Sequence, residues 1–240
     1  MNNILAIDTS GEGCSVALKV GGKLLENFEP KPREHSKKLL AMIDELLTQA
    51  ELSLKDLSGI TYMKGPGSFT GLRIGVSIVQ GLAYGAGLPT LGVSSLQCLA
   101  AGALLDPLVN VNQVLLPMLD ARMHEVYWGL YKQKSGSPIL LNNEAVSAPE
   151  DLPIRNFEGL NIVGVGTGWR YYSDMPEELK LYVTSVEVER TTRASDIFYV
   201  FPTLGAKEST FSFDMALPVY IRDTVTWKKL SEQKKLTGQT

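Results

Sequence analysis

The apolar positions of this chain fall into two rounds of short strands and helices. Ile4-Leu5-Ala6-Ile7 is a continuous apolar run, the pattern of a strand covered on both faces, and it ends at Asp8-Thr9-Ser10-Gly11. Cys14 to Val20 alternates apolar and polar residues, Gly21-Gly22 marks a hairpin turn, and Lys23 to Phe28 gives a third strand. From about His35 to Ala50, Leu39, Leu40, Ile43, Leu46 and Leu47 recur at helical spacing. A strand over 60–64, a helix from Leu72 to Tyr84, a strand over Pro89-Thr90-Leu91-Gly92-Val93 and a helix from Ser94 or Ser95 to about Leu105 complete a β-β-β-α-β-α order.

The second half repeats the opening more loosely. Val114 to Asp120 is a strand ending in an acid, as Ile4 to Asp8 is. Val126 to Tyr131 and Ile139 to Val146 supply two more strands, and Asn161 to Gly166 enters a glycine turn, Gly166-Thr167-Gly168-Trp169. Two such units imply an α/β protein of two duplicated lobes, a layout that resembles the actin-like, sugar-kinase and Hsp70 ATPase (ASKHA) superfold. The expected division is residues 1–106, residues 107–217 and a C-terminal segment 218–240 whose polar end frays.

The densest signal is Gly65-Pro66-Gly67-Ser68-Phe69-Thr70-Gly71-Leu72-Arg73-Ile74-Gly75, between a strand and a helix. Its glycines permit a tight turn and Ser68 or Thr70 can cap the helix, so backbone N–H groups are exposed at a helix start. No Gly-Lys-Ser/Thr follows, which argues against a P-loop. Gly71, Gly75, Gly81 and Gly85 fall inside the helix, and each interior glycine costs about 1 kcal/mol relative to alanine. Gly71 and Gly75 form one small stripe, and Ser77, Gly81 and Gly85 another, so a backbone can approach closely. That backbone is either the protein's own sheet or a second subunit.

Composition narrows the class. The chain has 240 residues, 44% hydrophobic and 20% charged, with formal net charge −3, which lacks the basic footprint of a stand-alone nucleic-acid binder. No apolar run is long enough for a membrane span and no signal peptide is evident, which points to the cytoplasm. Cys14 and Cys98, the two cysteines, sit in apolar settings and read as inert core residues.

The residues Ile4 to Ser10, Pro32-Arg33-Glu34-His35-Ser36, Gly65 to Gly75, Gly92-Val93-Ser94-Ser95-Leu96, Asp120 to Tyr127, Gly166 to Trp169 and Pro218-Val219-Tyr220-Ile221-Arg222 together resemble the TsaB (YeaZ) family nearly end to end. The resemblance implies an ASKHA-fold, non-catalytic component of the bacterial machinery for threonylcarbamoyladenosine, a tRNA modification beside the anticodon. It implies a heterodimer with the catalytic paralogue TsaD, recruitment of the ATPase TsaE, a threonylcarbamoyl adenylate supplied by TsaC, and tRNA contact only through the complex. It also implies that the two long helices of the first lobe pack against a partner. On that basis His35, Ser36, Leu39, Leu40, Ile43, Leu47, Gly71, Leu72, Arg73, Gly75, Val76 and Val79 are expected at the interface, with a two-fold homodimer in isolation.

The chemistry in the sequence agrees with a non-catalytic role. The catalytic paralogue carries two histidines four apart on its first long helix; here His35 is followed by Leu39. The only other histidine is His124, and two separated histidines do not supply the three ligands of a catalytic metal site, so no metal and no required cofactor are expected. Asp8, Thr9 and Ser10, with Gly166 and Gly168, stand where a nucleotide-binding relative would meet phosphate, leaving weak nucleotide binding open; a strand ending in Asp-Thr-Ser is also simply a good turn. Asp120-Ala121-Arg122 reads as a hairpin salt bridge, and Lys228, Lys229, Lys234 and Lys235 as a solvated basic end. The rival class is an ATP-using kinase or hydrolase of the same superfold, active alone.

Overall fold

The computed structural model describes residues 3–30, 35–204 and 210–222, with backbone only for residues 35–37. Strands β1 (Asn3–Asp8), β2 (Cys14–Val20) and β3 (Lys23–Glu29) form an antiparallel meander. Helix α1 (His35–Gln49) leads to β4 (Gly59–Gly65), α2 (Phe69–Ala86), β5 (Thr90–Ser94) and α3 (Ser95–Ala103). The sheet order is β3-β2-β1-β4-β5, with β4 parallel to both β1 and β5. Ser68 caps α2 by accepting the Gly71 N–H at 3.2 Å, and Gly87 closes it in the left-handed conformation at φ 66°.

The second sheet repeats this order. Strands β6 (Val114–Arg122), β7 (Glu125–Trp128), β8 (Tyr131–Lys134), β9 (Ser137–Leu140), β10 (Ala145–Ser147), β11 (Ile162–Val165) and β12 (Val183–Glu187) follow. The order β10-β7-β6-β11-β12 matches the first sheet, with β8 and β9 as an added hairpin on β6. That hairpin corrects the sequence reading, which joined Val126 to Tyr131 and Ile139 to Val146 as two strands. The first run breaks at Gly129-Leu130, where the Leu130 N–H donates to Asn142 Oδ1 at 2.9 Å, and Ser135-Gly136, both at positive φ, turns the chain back.

After the short helix α4 (Glu177–Lys180) and β12, the chain returns to the first lobe. Helix α5 (Ile197–Leu204) places Ile197, Phe198 and Val200 with Ile4, Ala6, Met63 and Phe211 in one buried cluster. Thr90 and Ser212 form a β-bridge, and the Val219 N–H donates to the Lys64 carbonyl at 2.7 Å. Ala194, Ile197, Phe198, Val200, Phe211 and Ser212, which the sequence reading placed within 107–217, therefore help cover the first lobe. Both cysteines are buried and free; burial lifts the Cys14 thiol to about 11 and raises that of Cys98 too.

Candidate functional site

The glycine run meets the end of β1, and the fit is close. Ser68 N–H donates to the Ser10 carbonyl at 2.7 Å, and Thr9 Oγ1 donates to the Gly71 carbonyl at 2.8 Å. A Cβ on Gly67 would lie 2.2 Å from the Ser10 carbonyl oxygen, one on Gly71 2.1 Å from that of Thr9, and one on Gly75 2.1 Å from Thr9 Oγ1. The first glycine stripe thus serves the chain's own strand end. Gly81 and Gly85 differ: both are exposed, with nothing among the described residues within 4 Å of a Cβ.

Asp8 is saturated by its own chain. Its Oδ1 accepts from the Ser10 N–H and Oγ, each at 2.7 Å, and its Oδ2 from Thr192 Oγ1 at 2.6 Å. Asp8, Thr9 and Ser10 are all buried. Burial raises the Asp8 carboxyl above its ordinary value despite these donors. In the second lobe, the Trp169 indole fills the glycine turn. A Cβ on Gly164 would lie 2.4 Å from that ring, one on Gly166 2.5 Å from the Met118 carbonyl oxygen, and one on Gly168 2.6 Å from Met118 Cβ. Trp169 Nε1 donates to the Leu116 carbonyl at 2.9 Å. Both strand ends expected to face phosphate are packed with protein, so neither Gly166 nor Gly168 lines an open cradle.

The interface expectations divide by helix face. Leu39, Ile43, Leu47, Val76 and Val79 are buried in one cluster with Leu5, Ile7 and Val16 of the sheet, Leu72 is buried against Gly65, and Gly71 and Gly75 face Thr9. These eight are corrected from outward to inward, because an amphipathic helix on a sheet spends its apolar stripe on that sheet. Leu40 and Arg73 do face outward. The side chains of His35 and Ser36, and the segments 31–34 and 223–240 with the basic end, lie outside the described residues. The sequence missed Phe69 and Tyr84, both exposed on α2; the signal was their spacing with Arg73, Ser77 and Gly81 on the polar side of the helix.

Among the described residues, no group of three or more His, Cys, Asp or Glu is placed to hold a metal ion. His124 Nε2 lies 3.6 Å from both Glu150 and Asp174, and Asp120 pairs with Arg122 at 3.4 Å. No helix among the described residues is long and apolar enough to cross a membrane.

Against this geometry, the comparisons with known proteins agree. A protein of Escherichia coli strain K12 called tRNA threonylcarbamoyladenosine biosynthesis protein TsaB is 42% identical over 230 residues, covering 95% of this chain and 97% of its own. This chain belongs to the TsaB (YeaZ) family. The Haemophilus influenzae TsaB is 36% identical over 236 residues, covering 95% and 96%. The solved YeaZ of Pseudomonas aeruginosa superposes with a TM-score of 0.82 at 36% identity, over 92% of this chain and all of that one. The family model described as TsaD, tRNA N6-adenosine threonylcarbamoyltransferase, matches residues 29–195. This TsaB-family chain therefore shares a sequence frame with the transferase, while it carries buried Leu39 one helical turn after His35.

One carboxyl near the Asp8 network gives the family member a pH dependence. Asp196 is buried beside Arg190 Nη2 at 3.7 Å and accepts the Arg193 N–H at 2.9 Å. Burial raises its pKa to about 7, against the lowering influence of Arg190 and the backbone bond. Since the folded value lies above the unfolded one, folded protein binds more protons between about pH 4 and 7, and stability falls as pH rises through that window. Asp196→Asn should flatten this slope in thermal melts taken from pH 5 to 8. An unchanged slope would remove Asp196 as its source.

Proposed function

We propose that this chain is a non-catalytic subunit of the tRNA threonylcarbamoyladenosine machinery, binding TsaD through the outward faces of α1 and α2. The observation that carries the reading is the second glycine stripe. Gly81 and Gly85 each cost the helix about 1 kcal/mol, and nothing among the described residues uses the space they leave. With exposed Thr70, Arg73, Ser77 and Tyr84, and with Leu40 on neighbouring α1, they make a face that another helix can approach closely. Family membership supports the pathway; the packed strand ends and buried Leu39 support a role without chemistry of its own. TsaE joins through the assembly, tRNA is met only there, and the setting is cytoplasmic. No cofactor is required, and without TsaD the same face pairs with a second copy.

Gly81→Leu tests this. The side chain meets open space, so the variant should melt at or above the wild-type temperature. Its affinity for TsaD and for itself should fall at least about tenfold, since a bulky residue holds the helices apart. Co-purification, sedimentation and a reconstituted modification assay read the three effects. A variant that keeps full TsaD affinity would put the interface elsewhere. The rival, a kinase or hydrolase active alone, requires ATP turnover by the purified chain with Mg²⁺.

A further inference from the structure

We infer that residues 216–222 are a strap that couples the exposed start of α2 to the β6–β7 hairpin of the other lobe. The strap is tied to the first lobe along its length. Gln80 donates to the Ala216 carbonyl, and the Tyr62 hydroxyl accepts the Leu217 N–H at 3.0 Å and donates to the Leu217 carbonyl at 3.2 Å. Val219 N–H reaches Lys64. Tyr220 then lies on α2: its ring is 5.5 Å from Phe69, and its hydroxyl accepts from Arg73 Nε at 3.2 Å. The Arg73 guanidinium covers the Phe69 ring at 3.8 Å. All three side chains are exposed, so anything seated on the start of α2 must share or displace Tyr220.

Two residues later the strap crosses to the second lobe. Arg222 Nη2 donates to the Ala121 carbonyl at 3.1 Å and pairs with the Glu125 carboxylate, while Nη1 lies 3.9 Å from Met123 Sδ. One guanidinium thus ties both legs of the hairpin below its tip. The tip needs holding. Arg122, Met123 and His124 have φ of 62°, 56° and 58°, consecutive non-glycine residues in the left-handed region. A two-residue turn with both φ positive suits Asn-Gly, and Met123-His124 adopts it only where the surroundings impose it. Asp120 contributes locally by accepting the Arg122 N–H at 2.7 Å. Arg122 also reaches Glu12 at 3.3 Å, and His124 lies 3.6 Å from Glu150 and Asp174 with its ring against Tyr171, but Arg222 is the clamp that the strap carries. Two arrangements follow: strap seated with the hairpin clamped, and strap displaced with the hairpin released.

The inference rests on contacts within this chain alone and stands or falls apart from the TsaD reading. Hydrogen exchange on the purified full chain tests it. Tyr220→Ala removes contacts to α2 only, yet amides of residues 121–126 should exchange about tenfold faster, with β1 and β11 unchanged. Arg222→Ala should produce at least the same release. A chain carrying Met123→Asn with His124→Gly, whose turn needs no clamp, should keep its hairpin protection when Tyr220→Ala is added. Hairpin exchange at the wild-type rate in Tyr220→Ala overturns the coupling, and the same result in Arg222→Ala overturns the clamp. Should Tyr220→Ala lose protection in β1, Tyr220→Phe, which gives up only the bond with Arg73, replaces it in the comparison.

Discussion

Alanine at Gly71 is expected to lower the melting temperature by roughly 6–12 °C, although alanine is the better helix former. On an open helix the substitution would gain about 1 kcal/mol. Here the new methyl would stand 2.1 Å from the Thr9 carbonyl oxygen, with Ser68 Cβ and Oγ at 3.2 Å. Thr9 has little room to retreat. It is buried, it follows a strand paired on both sides, and its neighbour Asp8 is held by three donors. Forcing a methyl into such a seam costs about 3 kcal/mol. Gly75→Ala meets Thr9 Oγ1 instead, a side-chain atom, so adding Thr9→Ala should recover part of that loss but none of the loss at Gly71. Melts followed by circular dichroism decide the matter, and a Gly71→Ala chain that outlasts the wild type would refute the tight seam.

Trp169→Ala should be at least as damaging, with a loss of about 4 kcal/mol and a fall of roughly 8–16 °C in melting temperature. The ring is 1% exposed and stands over Gly164. Its removal takes one of two tryptophans, the other being Trp128, from a cluster that includes Leu116, Met118, Phe157 and Ile162. It also leaves the Leu116 carbonyl without its indole donor. Trp169→Phe keeps much of the volume and loses the donor, so it should recover about half of the loss. Equal melting temperatures for wild type and Trp169→Ala would mean that the second-lobe turn is not held by this ring.

The two-lobed plan was legible because its signals are local. Apolar runs ending in Asp8 and Asp120, the turns at Gly21-Gly22 and Gly166, and Ser68 ahead of an apolar helix each specify their own element. Helix phase was harder. Gly71 and Gly75 face one way and Gly81 and Gly85 the other, and spacing alone separates the stripes without saying which meets the sheet. Val76 and Val79 hold the answer, since a helix beside a sheet must cover it before it can serve a neighbour. The strap left no trace in the pattern. Tyr62 finds Leu217 and Lys64 finds Val219 across more than half the chain, Glu125 finds Arg222 across 97 residues, and nothing periodic announces such pairs.

The return of the chain to its first lobe also bears on synthesis. Ala194, Ile197, Phe198 and Phe211, which help cover Ile4, Ala6 and Ala17, are made only after every strand of both sheets. Until those arrive, that face of the first sheet is covered in part by Cys98 and Ala101 of α3 and is otherwise open to water and to other nascent chains. The two lobes therefore cannot mature one after the other as independent units; the first waits for the second. A message truncated shortly before codon 194 would yield a polypeptide with both sheets specified and one face of the first only partly covered, a natural client for a holdase chaperone.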